Sequence, residues 1–337
     1  MRISFFLFAL LGLLAQGQNN GGNAFKEYYP ISVRPELSVG VGNNEYEQIL
    51  LDAKPTVYYG IYNDLRSALN KDTITSGDAV YLTFQPEFRI YNEESRPVKT
   101  PSYKLLIGWQ KIIKTDSDNF LTAAIETGHY SNGQSRSAFS TQFDDDTPES
   151  RAIYESFTDD TDLAALLNRE TGNFSTNLTR LSINYRRNKF NAQNIPQRIH
   201  SMTATYQLYH NKFMGFADFG GYNEEDIDIY GRHSVEASYE FTGYYKDIRY
   251  TLSEQASYNF GSHPSSDPLR SETSLFVYPF SNDFGFMAQF AIGRDDYNYR
   301  FLDSFPRFSI GITWDWFTPF VIKPTKQQLP DVSPESK

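Results

Sequence analysis

The 337-residue sequence has no cysteine. That excludes a disulfide framework, any thiolate metal site, and an amino terminus anchored through a lipid-modified cysteine. Basic charge is also short: 31 Lys and Arg face 41 Asp and Glu, a net charge of −10. This argues against nucleic acid as a partner. Long apolar runs are nearly absent as well. The one present, Ile3 to Leu14, follows Met1-Arg2 and precedes the small-residue exit Ala15-Gln16-Gly17. It is shorter than the ~20 residues that span a bilayer, so residues 1–17 read as a secretory signal peptide rather than an anchor. Its removal takes one Arg and no acid, moving the charge from −10 to −11.

What is present in excess is aromatic. Tyr and Phe number 24 and 27, and aromatics form 16% of the chain, although the mean hydropathy is −0.53. A transmembrane β-barrel reconciles the two, because only every second strand residue faces lipid and aromatic girdles mark both interfaces.

Segments of period two recur near 37–46, 56–64, 79–91, 102–113, 119–131, 173–186, 198–209, 232–243, 248–260, 270–280, 284–294 and 305–317. Twelve is an even number, as a closed antiparallel barrel requires. Val80, Leu82 and Phe84 share one face and Gln85, Glu87 and Arg89 the other; Leu181, Ile183 and Tyr185 likewise oppose Arg180, Asn184 and Arg186. The fold expected is all-β, a transmembrane antiparallel barrel over 36–318 in the cell outer membrane of a Gram-negative bacterium. Residues 18–35 are expected as a periplasmic segment and 319–337 as a disordered tail. Short spacers alternate with long ones. The longest, the acidic outer loop 132–172, carries Asp144-Asp145-Asp146 and a helical pattern between Pro148 and Arg169. A cation site and a solvated surface run are both open readings of its acids.

The chemistry-bearing stretch is Gly128-His129-Tyr130-Ser131-Asn132-Gly133. His129 and Ser131 share the parity of Leu121, Ala123 and Ile125, so both face lipid near the outer end of their strand. Unpaired polar groups are costly there, which points to chemistry on a lipid ester at that depth. Asn177, on the same parity of the next strand, completes a Ser–His–Asn array. In that array Ser131 is the nucleophile, His129 the base, and Asn177 the group that fixes the imidazole tautomer. Asn173 and Ser175 are rivals for the third role. Gly133, without a Cβ, offers its N–H to an oxyanion.

These residues resemble the outer-membrane phospholipase A family of Gram-negative bacteria. His129-Tyr130-Ser131-Asn132-Gly133 is similar to its His-x-Ser-Asn-Gly motif, and Ser175-Thr176-Asn177 to the Ser-x-Asn that supplies its catalytic Asn. Asn92-Glu93-Glu94-Ser95-Arg96-Pro97 resembles a segment whose serine contributes to calcium binding, and Tyr297–Phe301 through Trp316-Phe317 resembles the closing strands. The resemblance implies a twelve-stranded barrel, Ca2+-dependent hydrolysis of membrane phospholipid acyl esters (A1/A2), and activation as a homodimer. Calcium would involve Ser95 and the position after Gly133. There the chain departs from the family: it has Gln134 where the family has Arg, with Arg136 two residues on as the substitute. The alternatives are a non-catalytic barrel, such as a narrow channel or a degenerate relative, and a lipid A deacylase.

Overall fold

The computed structural model describes residues 29–42, 46–65, 75–94, 97–116, 118–190, 196–213, 216–245, 248–279 and 284–314. The proposed signal peptide, the tail 319–337 and Ser95 lie outside them.

The strands are β1 (Glu36–Gly42), β2 (Ile49–Lys54), β3 (Val57–Asn63), β4 (Ser76–Tyr91), β5 (Ser102–Lys114), β6 (Asn119–Ser131), β7 (Ser175–Phe190) and β8 (Pro196–His210). Two short strands follow, β9 (Lys212–Phe213) and β10 (Ala217–Asp218), and then β11 (Gly231–Tyr245), β12 (Ile248–Ser262), β13 (Leu269–Tyr278), β14 (Phe284–Gly293) and β15 (Arg307–Trp314). β1 pairs with β15, and β2 pairs with both β1 and β4, so the antiparallel sheet closes on itself. β2 and β3 pair with successive parts of β4 and form one stave, interrupted at Pro55, which has no N–H for the ladder. Counted that way the barrel has twelve staves. β9 and β10 pair only with each other, outside the wall.

The two faces of the wall differ as the alternation predicts. Leu82, Phe84, Leu105, Ile107, Trp109, Leu181, Ile183 and Tyr206 are exposed on the outside, whereas Gln85, Glu87, Arg89, Gln110, Glu126, Asn184 and Arg186 are buried in the lumen. An apolar exterior around a polar interior is the arrangement of a barrel in lipid. In mid-wall one outward acid breaks the pattern. Glu254 is exposed on β12, on the parity of Leu252 and Ala256 and midway between Tyr250 and Tyr258. Its carboxylate accepts hydrogen bonds from the hydroxyls of Ser271 and Thr273 on β13.

Part of the lumen is occupied by paired charges. Arg89 is fully buried and grips Asp295 with both terminal nitrogens, at 2.5 and 2.8 Å, while its Nε donates to Asp52 at 3.2 Å. Arg307 donates to the same Asp52 at 3.0 Å. Buried charges need such pairing, since an isolated one is far too costly to keep. At one end a 3-10 turn, Asn298–Leu302, is wholly buried, and Arg300 joins Glu47 at 2.8 and 3.0 Å. The amino-terminal segment also contributes. Of the segment 18–35, residues 29–35 are described: Tyr29 packs against Tyr58 and Tyr81, and the Val33 N–H donates to Tyr58 at 2.9 Å.

The long loop 132–172 folds over one end of the barrel. The helical pattern is realised as α1 (Pro148–Glu155), N-capped by Thr147, and α2 (Leu163–Leu166), N-capped by Asp162. Leu163 and Leu167 are buried with Tyr130, Phe174, Tyr222, Tyr230 and Phe301 in an aromatic cap. A further helix, α3 (Glu224–Tyr230), joins the cap from the loop before β11.

Candidate active site

β6 and β7 are neighbours, and their register sets His129 directly opposite Asn177 and Ser131 directly opposite Ser175. The Asn132 N–H donates to the Phe174 carbonyl at 3.0 Å. By the antiparallel alternation, 131/175 and 129/177 are then the non-hydrogen-bonded pairs, where facing side chains come closest. The ladder alone therefore brings the His and Asn together, although they stand 48 residues apart in sequence.

The contact is specific. Asn177 Oδ1 lies 3.1 Å from His129 Nδ1. The Asn177 amide is fully buried, and its Nδ2 donates to two main-chain carbonyls, Asn211 at 3.1 Å and Phe219 at 3.0 Å. With both amide hydrogens committed to carbonyls, Oδ1 must be the atom that faces the imidazole. The proton of neutral His129 then sits on Nδ1, and Nε2 presents its lone pair. None of the other four histidines offers this arrangement. His210, across from Asn177 on β8, spends Nδ1 on the Lys212 carbonyl and Nε2 on Thr179. His263 engages both nitrogens with Ser265 and the Thr158 carbonyl. His200 and His233 pair through Nδ1 with Tyr239 and Tyr206, with no amide to hold the ring.

Ser131 is half-buried beside this pair, but its hydroxyl makes no hydrogen bond to a described residue, His129 included. Asn173 is occupied elsewhere: its Nδ2 donates to Asp145 at 2.7 Å and its N–H to the Arg136 carbonyl at 2.6 Å. Ser175 stays close to the imidazole without bonding to it. Gly133 adopts φ +67°, a Cβ placed there would meet open space, and its N–H donates to no described residue. It is free to receive an acceptor.

The proposed calcium residues fare differently. Gln134 is held by its N–H to Asn132 Oδ1 at 3.2 Å. Arg136 is paired with Asp144 at 3.0 Å and donates to the Gln142 carbonyl at 3.1 Å, so the nearest carboxylate is already engaged. Among the described residues no group of three or more His, Asp or Glu side chains is arranged to hold a metal ion. Calcium takes six to eight oxygen ligands, backbone carbonyls among them.

The sequence reading missed the segment that covers the site. Phe219 meets the His129 ring edge to face at 4.9 Å. Gly220, at φ +44°, lies so close that a Cβ would stand 2.8 Å from the imidazole Cε1 and 2.8 Å from Ser175 Oγ. The only signal was Gly220-Gly221 after three evenly spaced phenylalanines.

A closed, twelve-stave barrel with an apolar exterior, a polar lumen and an aromatic cap is a protein of the Gram-negative outer membrane. No protein-family model and no curated protein matches the chain. Among solved structures it is similar to outer membrane phospholipase A from Escherichia coli, at 11% identity over 87% of this chain and 98% of that one, with a TM-score of 0.48. It is similar also to the translocator domain of autotransporter NalP from Neisseria meningitidis, at 10% identity over 84% and 87%, TM-score 0.40. The KdgM porin gives 10% identity over 84% and 99%, TM-score 0.37. The reading of the site rests on the chain's own geometry.

Proposed function

We propose that this barrel is an outer-membrane phospholipase that hydrolyses acyl esters of membrane phospholipids with Ser131, His129 and Asn177. The observation that carries the reading is the His129–Asn177 pair, its tautomer fixed by a clamped amide, on the lipid face at the outer rim. Polar side chains set toward lipid are expensive, and this set matches the needs of ester cleavage.

In the proposed reaction, Ser131 Oγ attacks the ester carbonyl while His129 Nε2 takes its proton. The negative charge on the carbonyl oxygen is received by the Gly133 N–H. As the tetrahedral species collapses, the imidazolium passes its proton to the departing alcohol, leaving an acyl group on Ser131. Water, deprotonated by His129, then releases the fatty acid. Asn177 accepts from Nδ1–H throughout and keeps Nε2 aimed at the reaction. An amide suits this role because a carboxylate would carry charge into lipid.

The hydroxyl of Ser131 must turn toward Nε2 for the first step. Catalytic contacts often tighten only with substrate in place. A second copy of the chain and calcium, with oxygen donors drawn from beyond the described residues, belong to the same proposal, but no step above is routed through the metal. The open Ser131 contact is what favours a rival, a non-catalytic barrel that keeps the fold. The ion-paired lumen counts against a channel.

The test is release of fatty acid from phospholipid by the refolded protein, with and without a calcium chelator. Activity lost in Ser131→Ala with the barrel intact supports the reading. Activity retained in that variant refutes it, and ion conductance without hydrolysis favours the rival. Comparing acids released from phospholipid and from lipopolysaccharide separates a lipid A deacylase.

A further inference from the structure

Between β8 and α3 the chain makes an excursion that the barrel wall does not require. β9 and β10 form a miniature hairpin, and Phe219 and Gly220 then pass over His129 and Ser175 on the lipid face of β6 and β7. The excursion is tied down from below, because the Phe219 carbonyl accepts one Asn177 Nδ2 hydrogen and the Asn211 carbonyl the other. The segment that covers the imidazole is therefore the one that orients the amide behind it.

Its outward side is aromatic. Phe213, Phe216 and Phe219 recur every three residues, and Phe213 and Phe219 meet at 6.2 Å. Phe216 is 75% exposed and Phe219 60%, among the most exposed large side chains described. Phenylalanine has no polar handle that would suit it to water, as Tyr and Trp have. At the rim of a barrel, beside a lipid-facing imidazole, its natural neighbours are acyl chains. Gly220 allows the close approach, since any side chain there would strike the imidazole or Ser175.

We propose that Phe219, extended by Phe213 and Phe216, is the wall against which the scissile acyl chain lies, and that it sets the acyl-chain preference of the site. This rests on the phospholipase reading for its catalytic meaning. Phe219 touches substrate in the proposal but moves no proton. Its loss weakens long chains, which use the wall, more than short ones.

Two measurements test it. In Phe219→Ala, the ratio of kcat/KM for a sixteen-carbon ester to that for a four-carbon ester falls about tenfold, the range expected for losing an apolar contact in a pocket. An unchanged ratio, or an equal fall for both esters, overturns the proposal, because a purely structural role would depress both. The second measurement does not depend on turnover. In Phe219→Trp, reconstituted in vesicles of phosphatidylcholine brominated at carbons 6 and 7, the added tryptophan emission is quenched beyond that of the parent protein. Absence of extra quenching overturns the acyl contact. Quenching without hydrolysis keeps the contact and refutes the phospholipase reading instead. Phe216→Ser, at the most exposed of the three rings, repeats the first measurement should Phe219→Ala fail to fold.

Discussion

Replacing Asn177 with Asp tests whether the proposed array needs an amide where Ser-His-Asp triads use a carboxylate. The substitution preserves Oδ1, the acceptor 3.1 Å from His129 Nδ1. It removes both hydrogens that Nδ2 gives to the Asn211 and Phe219 carbonyls, and sets a second carboxylate oxygen against those two acceptors. A buried polar group that loses its partner costs about 1–3 kcal/mol, so two carbonyls cost about 2–6 kcal/mol before any charge repulsion. The carboxylate can lessen this only by turning away, which breaks the contact with the imidazole. If about 3 kcal/mol of the cost is felt in the transition state, kcat falls by about 10²-fold. Asn177→Ala loses the tautomer control but introduces no charge, and is expected to be the less damaged of the two. The assay is hydrolysis of a short-chain ester in micelles, with the heat-dependent gel shift of the barrel as the check on folding. A folded Asn177→Asp protein as active as the parent, or more active than Asn177→Ala, would sink this account of the clamp.

Three further outcomes are expected. Ser131→Ala, at a half-buried rim position, leaves the unfolding free energy measured in urea within about 0.5 kcal/mol of the parent while abolishing hydrolysis. Glu254→Leu removes a lipid-facing carboxylate and raises stability in vesicles by about 1 kcal/mol, since a charge on the lipid face is destabilising; a loss above about 2 kcal/mol would mean that Glu254 is met by something other than lipid. In the cap, burial pushes the Asp145 carboxyl upward, against the pull of the Asn173 hydrogen bond, and burial followed by repulsion from Asp145 does the same to Asp226. Carboxyls raised in the folded state stabilise it below their unfolded pKa of about 4, and that stabilisation is lost as pH rises through the raised value. Protease cleavage within 132–172 should therefore increase as pH rises above about 4, and Asp145→Asn with Asp226→Asn should flatten the profile.

Much of this was written in period two. Parity sorted Leu181 and Ile183 from Arg180 and Asn184, and the same parity set His129 and Asn177 on one face before any register was known. Register followed because β6 and β7 are consecutive staves. What was not legible depends on contacts without a period. Pro55 splits a stave that continues beyond it, since the sheet holds both halves to β4. Tyr29–Pro35 enters the lumen through bonds such as that from the Val33 N–H to the Tyr58 hydroxyl, which leave no pattern in composition. The hairpin at 212–218 has strands of two residues each, too short to alternate, so its placement over His129 came only with the fold. The serine is the reverse case: the motif named Ser131, and the fold leaves its hydroxyl unbonded.

The direct pairing of His129 with Asn177 also frees the chain between them. Their separation is fixed by hydrogen bonds between staves, so the loop that joins β6 to β7 is not a ruler. Each doubling of such a loop costs only about 0.6 kcal/mol in closure entropy, and none of that strain reaches the pair. The acidic cap with α1 and α2 can therefore be lengthened, trimmed or exchanged for a different domain while His129 and Asn177 keep their distance. In a barrel the loop length is open to variation by splicing, and the ladder keeps the geometry.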